Sequence, residues 1–197
     1  MSVLVGYASV HGSTRSIAER IASVLADRGV QVTIRPMAEA GEVGHHEAFV
    51  LGSAIHSRAW LPEAIDFVSR SRGVLSRRPV WLFSVGMPAA LRGPWRAFAG
   101  KEASAVLAGP LTDIDARDHE LFSGVIAAEH LPRTGRVLFR AMGCRYGDYR
   151  DWALVDAYAA GVADALRSLR NGPVPSQSDH IAGNQRNTKA HKSRPGS

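Results

Sequence analysis

The sequence predicts an α/β fold, a doubly wound parallel sheet with helices on both faces. Three observations lead there. Short apolar runs alternate along the chain with segments of helical spacing, the pattern of strand–helix–strand units. The stretches after the first, third and fourth apolar runs are small, hydroxylated or glycine-containing, which suits loops at one edge of such a sheet. A length of 197 residues suits one domain with a full hydrophobic core.

The first apolar run, VLVGYA at 3–8, predicts a buried strand. Ile17, Ile21, Val24 and Leu25 then repeat at helical spacing, and Gly29 supplies the stop. VQVTI alternates apolar and polar residues as a second strand, and AFVLGS reads as a third. Pro62 suits the first turn of a helix running to about Arg72. PVWLFSVG is the fourth strand. PWRAFAGKEASAVLAG can form the next helix, although Gly100 inside it costs about 1 kcal/mol relative to Ala. HELFSGVI is the fifth strand, and a final helix runs from about Trp152 to Leu169. Right-handed crossovers leave few topologies for this order. Ligands of such sheets gather at the carboxyl ends of the strands. Three loops fall there: Ser9 to Thr14, Ser53 to Arg58, and Ser84 to Pro88.

Composition narrows the function classes. One cysteine, Cys144, excludes an intrachain disulfide framework and a multi-cysteine metal site. No basic segment followed by an apolar one opens the chain, and no stretch approaches the roughly 20 apolar residues of a spanning helix. The expected location is cytoplasmic, with peripheral contact at the inner face of the membrane left open. The net charge is +6, and half of it lies in residues 171–197. That tail is poor in apolar residues and rich in Pro, Gly, Ser and Asn, so disorder is expected there. No feature calls for specific nucleic-acid binding. The domain is expected to span 1–170.

The first loop, SVHGST, joins a strand to a helix N-terminus. Unpaired backbone N–H groups and the positive end of the helix dipole favour an anion there. Ser9, Ser13 and Thr14 add hydroxyls, and Gly12 lets the backbone turn closely. The alternative is that Ser13 or Thr14 only caps the helix. A nucleoside-triphosphate loop needs Lys after its second Gly, and Gly12 is followed by Ser13. A dinucleotide fingerprint needs three glycines, and this loop has one. A phospho-accepting domain needs acids at the ends of the first and third strands, where Ala8-Ser9 and Ser53-Ala54 stand. A monophosphate held by neutral donors remains.

That segment, YASVHGSTRSIAERIA, resembles the phosphate loop of flavodoxins at Ser9, Gly12, Ser13 and Thr14. The resemblance continues through AFVLGSAIHSRAWLPEAIDFV and PVWLFSVGMPA and covers most of residues 3–170. It implies a five-stranded parallel sheet of order 2-1-3-4-5 and FMN as cofactor. It implies phosphate contacts from Ser9, Val10, His11, Gly12, Ser13 and Thr14. Ring contacts would come from Ser53, Ala54, Ile55, His56, Ser57 and Arg58, and from Ser84, Val85, Gly86 and Met87. Trp60 and Trp95 could stack on the flavin or pack in the core.

A closer resemblance is to the menaquinone-dependent protoporphyrinogen dehydrogenases, through VLGSAIHSRAW, LFSV and Asp151-Trp152. It implies a helical insertion, here 129–150, where substrate or membrane contact is expected. Arg133, Arg136 and Arg140 fall on one side of that helix, and Leu131, Leu138 and Met142 on another. The arginines would pair with porphyrin propionates or face solvent. The implied activity is FMN-dependent oxidation of protoporphyrinogen IX with a quinone as acceptor. The competing readings are an electron carrier with a redox partner and no substrate chemistry, and a flavin-free scaffold. His56 could hydrogen-bond the ring, and Arg58 could set positive charge beside it. No catalytic acid or base is assigned and no metal is expected. His45-His46 reads as a surface loop, Cys144 as a packed thiol, and Asp113, Asp115 and Asp118 as turn residues.

Overall fold

The elements form where the apolar runs lie. They are β1 (Ser2–Ala8), α1 (Ser13–Asp27), β2 (Gln31–Pro36), β3 (Ala48–His56), β4 (Ala59–Trp60), α2 (Pro62–Leu75), β5 (Val80–Gly86), β6 (Ala116–Ser123), β7 (Val125–Ile126), α3 (Arg133–Ala141), β8 (Gly147–Asp148) and α4 (Trp152–Asn171). The structure, a computed structural model, describes residues 1–87, 111, 114–130, 133–141 and 144–171. The helix expected over 94–109, Trp95, Asp113, Leu131, Met142 and the 172–197 tail lie outside the described residues.

The main sheet runs β2-β1-β3-β5-β6, with every neighbouring pair parallel. Among the five long strands this is the order 2-1-3-4-5. The two-residue strand β4 turns back antiparallel on the end of β3. Alternation along the strands feeds two cores. Val3, Val5, Val50 and Phe83 pack under α1 and α4 with Ile17, Ile21, Leu25 and Phe122. Leu4, Leu51 and Leu82 pack on the opposite face with Phe49, Phe67 and Trp60. Strands buried on both faces read as unbroken apolar runs, which is why the inner three were legible. The two covering helices α1 and α4 are tied by Arg20, which donates to both oxygens of Asp156 at 2.6 and 2.7 Å. The Tyr158 hydroxyl on α4 donates to Leu82 O at 2.9 Å, and its burial pushes its pKa well up.

Two local expectations are corrected. The helix α2 runs on to Leu75, one turn past Arg72. The expected fifth strand HELFSGVI is two strands in two sheets. β6 starts three residues earlier, at Ala116, and ends at Ser123; Val125-Ile126 leave to pair antiparallel with β8. Gly124 makes the division. Its N–H donates to Gly86 O at 3.0 Å, the last tie to β5. A Cβ there would lie 3.0 Å from Val85 and 3.2 Å from Ser13. A side chain here would press on Val85 and Ser13, and the chain passes the head of α1 closely without one. Among the described residues no helix is long and apolar enough to cross a membrane.

Candidate functional site

The strand registers set the site. Ala8 pairs with Ser53, Ser53 with Ser84, and Ser84 with Leu121, so four strands end close together, β1 first. The loops that follow them share one edge of the sheet.

The first loop meets the needs of an anion. Gly12 takes a left-handed conformation, φ 87°, and α1 begins behind it with no side-chain cap. The Gly12 N–H donates to Ser9 Oγ at 3.1 Å, and Ser16 N–H donates to Gly12 O at 3.0 Å. The amides of Ser13, Thr14 and Arg15 find no acceptor among the described residues. No acidic residue stands in the first turn. Thr14 is 1% exposed, and its hydroxyl has no partner among the described residues. Ser13 Oγ accepts from Val125 N–H at 3.0 Å, which leaves its own proton to donate. Free amides, spare hydroxyl protons and a helix dipole are the donor set for a dianionic monoester. Simple capping by Ser13 or Thr14 is not what the structure shows. A cleft of about 330 Å³ opens beside the loop, lined by Tyr7, Ser9, Gly12, Arg15, Pro36 and Glu63. Val10 is 60% exposed at the loop's tip.

The second and third loops divide into anchors and exposed residues. Ser53 is fully buried; its Oγ accepts from Leu61 N–H at 3.0 Å and donates to Ala54 O at 2.9 Å. Ser84 is fully buried as well. Its Oγ accepts from Trp60 Nε1 at 2.8 Å and lies 2.8 Å from His119 Nε2. Both hydroxyls are spent inside the fold, where they brace the loops. Trp60, 3% exposed, belongs to the core and not to a ring stack. His56, Ser57 and Arg58 are exposed, and Ala54 and Ile55 are half-buried. Ser57 and Arg58 take φ of 52° and 66° in the two-residue turn between the paired His56 and Ala59. Two non-glycine residues in the left-handed region store strain beside the site. Val85 is buried, Gly86 half-buried and Met87 exposed. The loop beyond Met87 lies outside the described residues.

A fourth contributor escaped the sequence reading. The chain from Gly124 to His130 lies against the first loop. Besides the Val125–Ser13 bond, the His130 ring stacks on His11 at 3.9 Å between centroids and 5° between planes. From the other side of the insertion Arg150 holds α1: its Nη1 donates to Ser16 Oγ at 2.8 Å. The same guanidinium pairs with Asp148, which holds that carboxyl below the usual range. No local signal in the sequence ties these segments together.

The insertion's helix forms, with an anchored side and an exposed side. Phe139 is buried with Ile126 and Cys144, against Tyr146 and Tyr149. Arg136 and Arg140 are exposed, and Val137 is 71% exposed. The Arg140 guanidinium lies 5.8 Å from the centre of the Tyr146 ring. The side chains of Arg133 and Leu138 lie outside what is described. Of the remaining candidates, Cys144 is packed, as expected. His46 departs from the surface reading: it is 4% exposed, edge-on to Phe49 at 6.2 Å, and burial pushes its pKa down. Among the described residues no group of three potential ligands could hold a metal.

Comparison with known proteins gives the same fold. Residues 4–148 match the model of the flavodoxin domain. No curated protein sequence matches the chain. Among solved structures, rubredoxin oxygen:oxidoreductase from Desulfovibrio gigas superposes with a TM-score of 0.56 at 18% identity, over 84% of this chain and 36% of that one. Flavodoxin 2 from Bacillus cereus gives 0.53 at 20%, over 85% of this chain and all of the other. A flavone reductase gives 0.51 at 10%, over 86% and 64%. Flavodoxin-domain homologues bind FMN, whose single phosphate is the group the α1 N-terminus is equipped to hold. By the match over most of its length, the chain belongs to the flavodoxin-domain family.

Proposed function

We propose that the chain is an FMN-dependent oxidoreductase whose substrate meets the flavin under the segment 125–150, the 129–150 insertion together with the short strand that leads into it. The observation that carries this reading is the insertion's attachment to the phosphate loop, through Val125–Ser13 and His11–His130. An electron carrier needs an open flavin edge and nothing more. A segment fastened over the cofactor end of the sheet suits a protein that also holds a substrate there. FMN, when bound, supplies the hydride and electron chemistry. The chain's own residues hold and orient. The free amides and hydroxyls of residues 13–15 grip the phosphate, the Ser57-Arg58 turn borders the ring, and the insertion limits water at the site.

The substrate class we favour is a planar, carboxylate-bearing porphyrinogen, protoporphyrinogen IX, with hydrogen removed from it and electrons passed to a quinone. Support comes from the similarity of the 50–60 and 151–152 segments to the menaquinone-dependent protoporphyrinogen dehydrogenases, and from the exposed cations Arg136 and Arg140. Exposed Val137 beside them suits peripheral contact with a membrane holding the quinone. Assay of the purified flavoprotein with protoporphyrinogen and menaquinone tests this reading. Turnover that falls at least tenfold in the Arg136→Glu, Arg140→Glu double variant, with the flavin retained, supports it. No turnover by the wild-type flavoprotein refutes it.

The second reading is a one-electron carrier. One observation favours it: the whole of Flavodoxin 2 from Bacillus cereus superposes on 85% of this chain. Under that reading the reduced protein passes electrons to a protein acceptor and leaves porphyrinogen untouched.

A further inference from the structure

We propose that His130 is a positioning residue for the phosphate loop: stacked on His11, it fastens the insertion to that loop and holds it in its anion-ready shape. This rests on the flavoprotein reading for its consequence, not for its geometry. The two rings are 3.9 Å apart and parallel within 5°, although His11 is otherwise exposed. An exposed ring held face to face by a residue from a remote segment is fixed by that partner. His130 is itself oriented, because its Nδ1 accepts from Ala127 N–H at 3.3 Å. That acceptor role puts the neutral ring's proton on Nε2. Earlier in the same segment, in β7, Val125 N–H donates to Ser13 Oγ at 3.0 Å. The insertion therefore holds the loop at two points, one on each side of Gly12.

The latch works with both rings neutral. Protonating His130 at Nδ1 removes the Ala127 bond, and protonating both rings sets like charges face to face. Burial, and then the neighbouring His130, hold the His11 pKa below the ordinary histidine range, while Glu129 on the same turn as His130 pulls it up. Of the other charged groups on packed elements, Arg15 is engaged by Glu19, and Arg150 is shared between Asp148 and Ser16. Acid therefore opens the latch.

The test compares His130→Ala, which loses the ring, with His130→Phe, which keeps a stacking ring that cannot be protonated. Amide exchange of Gly12 and Val125, read as protection against the free-peptide rate, reports the loop without any cofactor. At pH 8 we expect His130→Ala to lose protection about two- to tenfold, the range one aromatic pair supplies, and His130→Phe to stay within twofold of wild type. Between pH 8 and pH 5.5 the wild type should lose protection and the Phe variant should not. FMN dissociation should quicken by the same factor in His130→Ala, with riboflavin dissociation unchanged because riboflavin has no phosphate. Unchanged Gly12 protection in His130→Ala, or identical pH courses for wild type and His130→Phe, overturns the proposal. Failure of the wild type to take up flavin overturns the flavoprotein reading alone, since the exchange comparison still decides the role of His130.

Discussion

The cofactor end of this molecule is built from two unlike parts. One is the β1–α1 junction, where strand, loop and helix are contiguous and rooted in a core buried on both faces of the sheet. The other is the segment 125–150, whose buried residues among those described are Ile126, Phe139 and Cys144, and which carries two two-residue strands. The first part holds its shape by chain continuity and by dozens of dispersion contacts. The second holds it by a few long-range ties: Val125 to Ser13, His130 to His11, and Arg150 to Ser16. Binding strength should therefore sit in the first part; under the proposed function, control of access and of substrate would fall to the second.

Substitution of equivalent aromatic residues breaks this comparison most sharply. Phe122, 1% exposed between Phe83 and Tyr158, anchors the sheet core. Phe122→Ala should cost about 3–5 kcal/mol and lower the denaturant midpoint of the whole domain. Phe139, 5% exposed in the small cluster, should cost about 1–2 kcal/mol globally when changed to Ala, because the insertion opens locally instead. Equal losses from the two would mean that the insertion is part of the main cooperative unit.

Next in size are the donors of the phosphate loop. Thr14→Val and Ser13→Ala each remove one hydroxyl from a charged acceptor, an expected loss of about 10- to 100-fold in FMN affinity. Ser13→Ala should also loosen the Val125 amide, visible as faster exchange, and Thr14→Val should not. A flavin fluorescence titration measures the first effect.

Acid should act first on the sheet and the phosphate loop. Burial holds His46, His119 and His11 below the usual histidine pKa, so the unfolded chain takes up protons first as pH falls. Stability is then complete above the unfolded value, about 6.5, and declines below it. The carboxyls of Asp148, Asp156 and Glu47, all held down, begin to lose their contribution only below about pH 4. Denaturant midpoints should fall between pH 7.5 and 5.5, and replacing His119 by Asn should flatten that fall. The smallest effect belongs to the strained turn. Arg58→Gly relieves a left-handed residue at φ 66° and should raise apoprotein stability by about 0.5–1 kcal/mol.

Much of the first part could be read from sequence. Val3–Val5, Val50-Leu51 and Trp81–Phe83 are buried on both faces, so each strand is an apolar run that needs no partner to be recognised. The SVHGST loop is local, and its chemistry lies within six residues. Residue type alone does not show where a side chain is engaged. Ser53 and Ser84 look like ligand donors; they are neighbours in one sheet row, and their oxygens accept from Leu61 N–H and Trp60 Nε1–H. The phase of a strand decides that, and two serines do not reveal it. Gly124 reads as one more residue of a strand until the approach of Val85 and Ser13 is known. The insertion was foreseen as a helix with arginines, but not as a partner of the loop. The contact that makes it one, Val125 to Ser13, spans 112 residues.

The central claim is that neutral amides and hydroxyls at the head of α1 hold a phosphate. Titration of the apoprotein with FMN and with riboflavin, which differ in that phosphate alone, tests it directly. The account predicts that FMN binds at least tenfold more tightly, and that the difference narrows in the Ser13→Ala, Thr14→Val double variant, where only the amides and the helix dipole remain. Equal affinity of the wild type for the two flavins would contradict it.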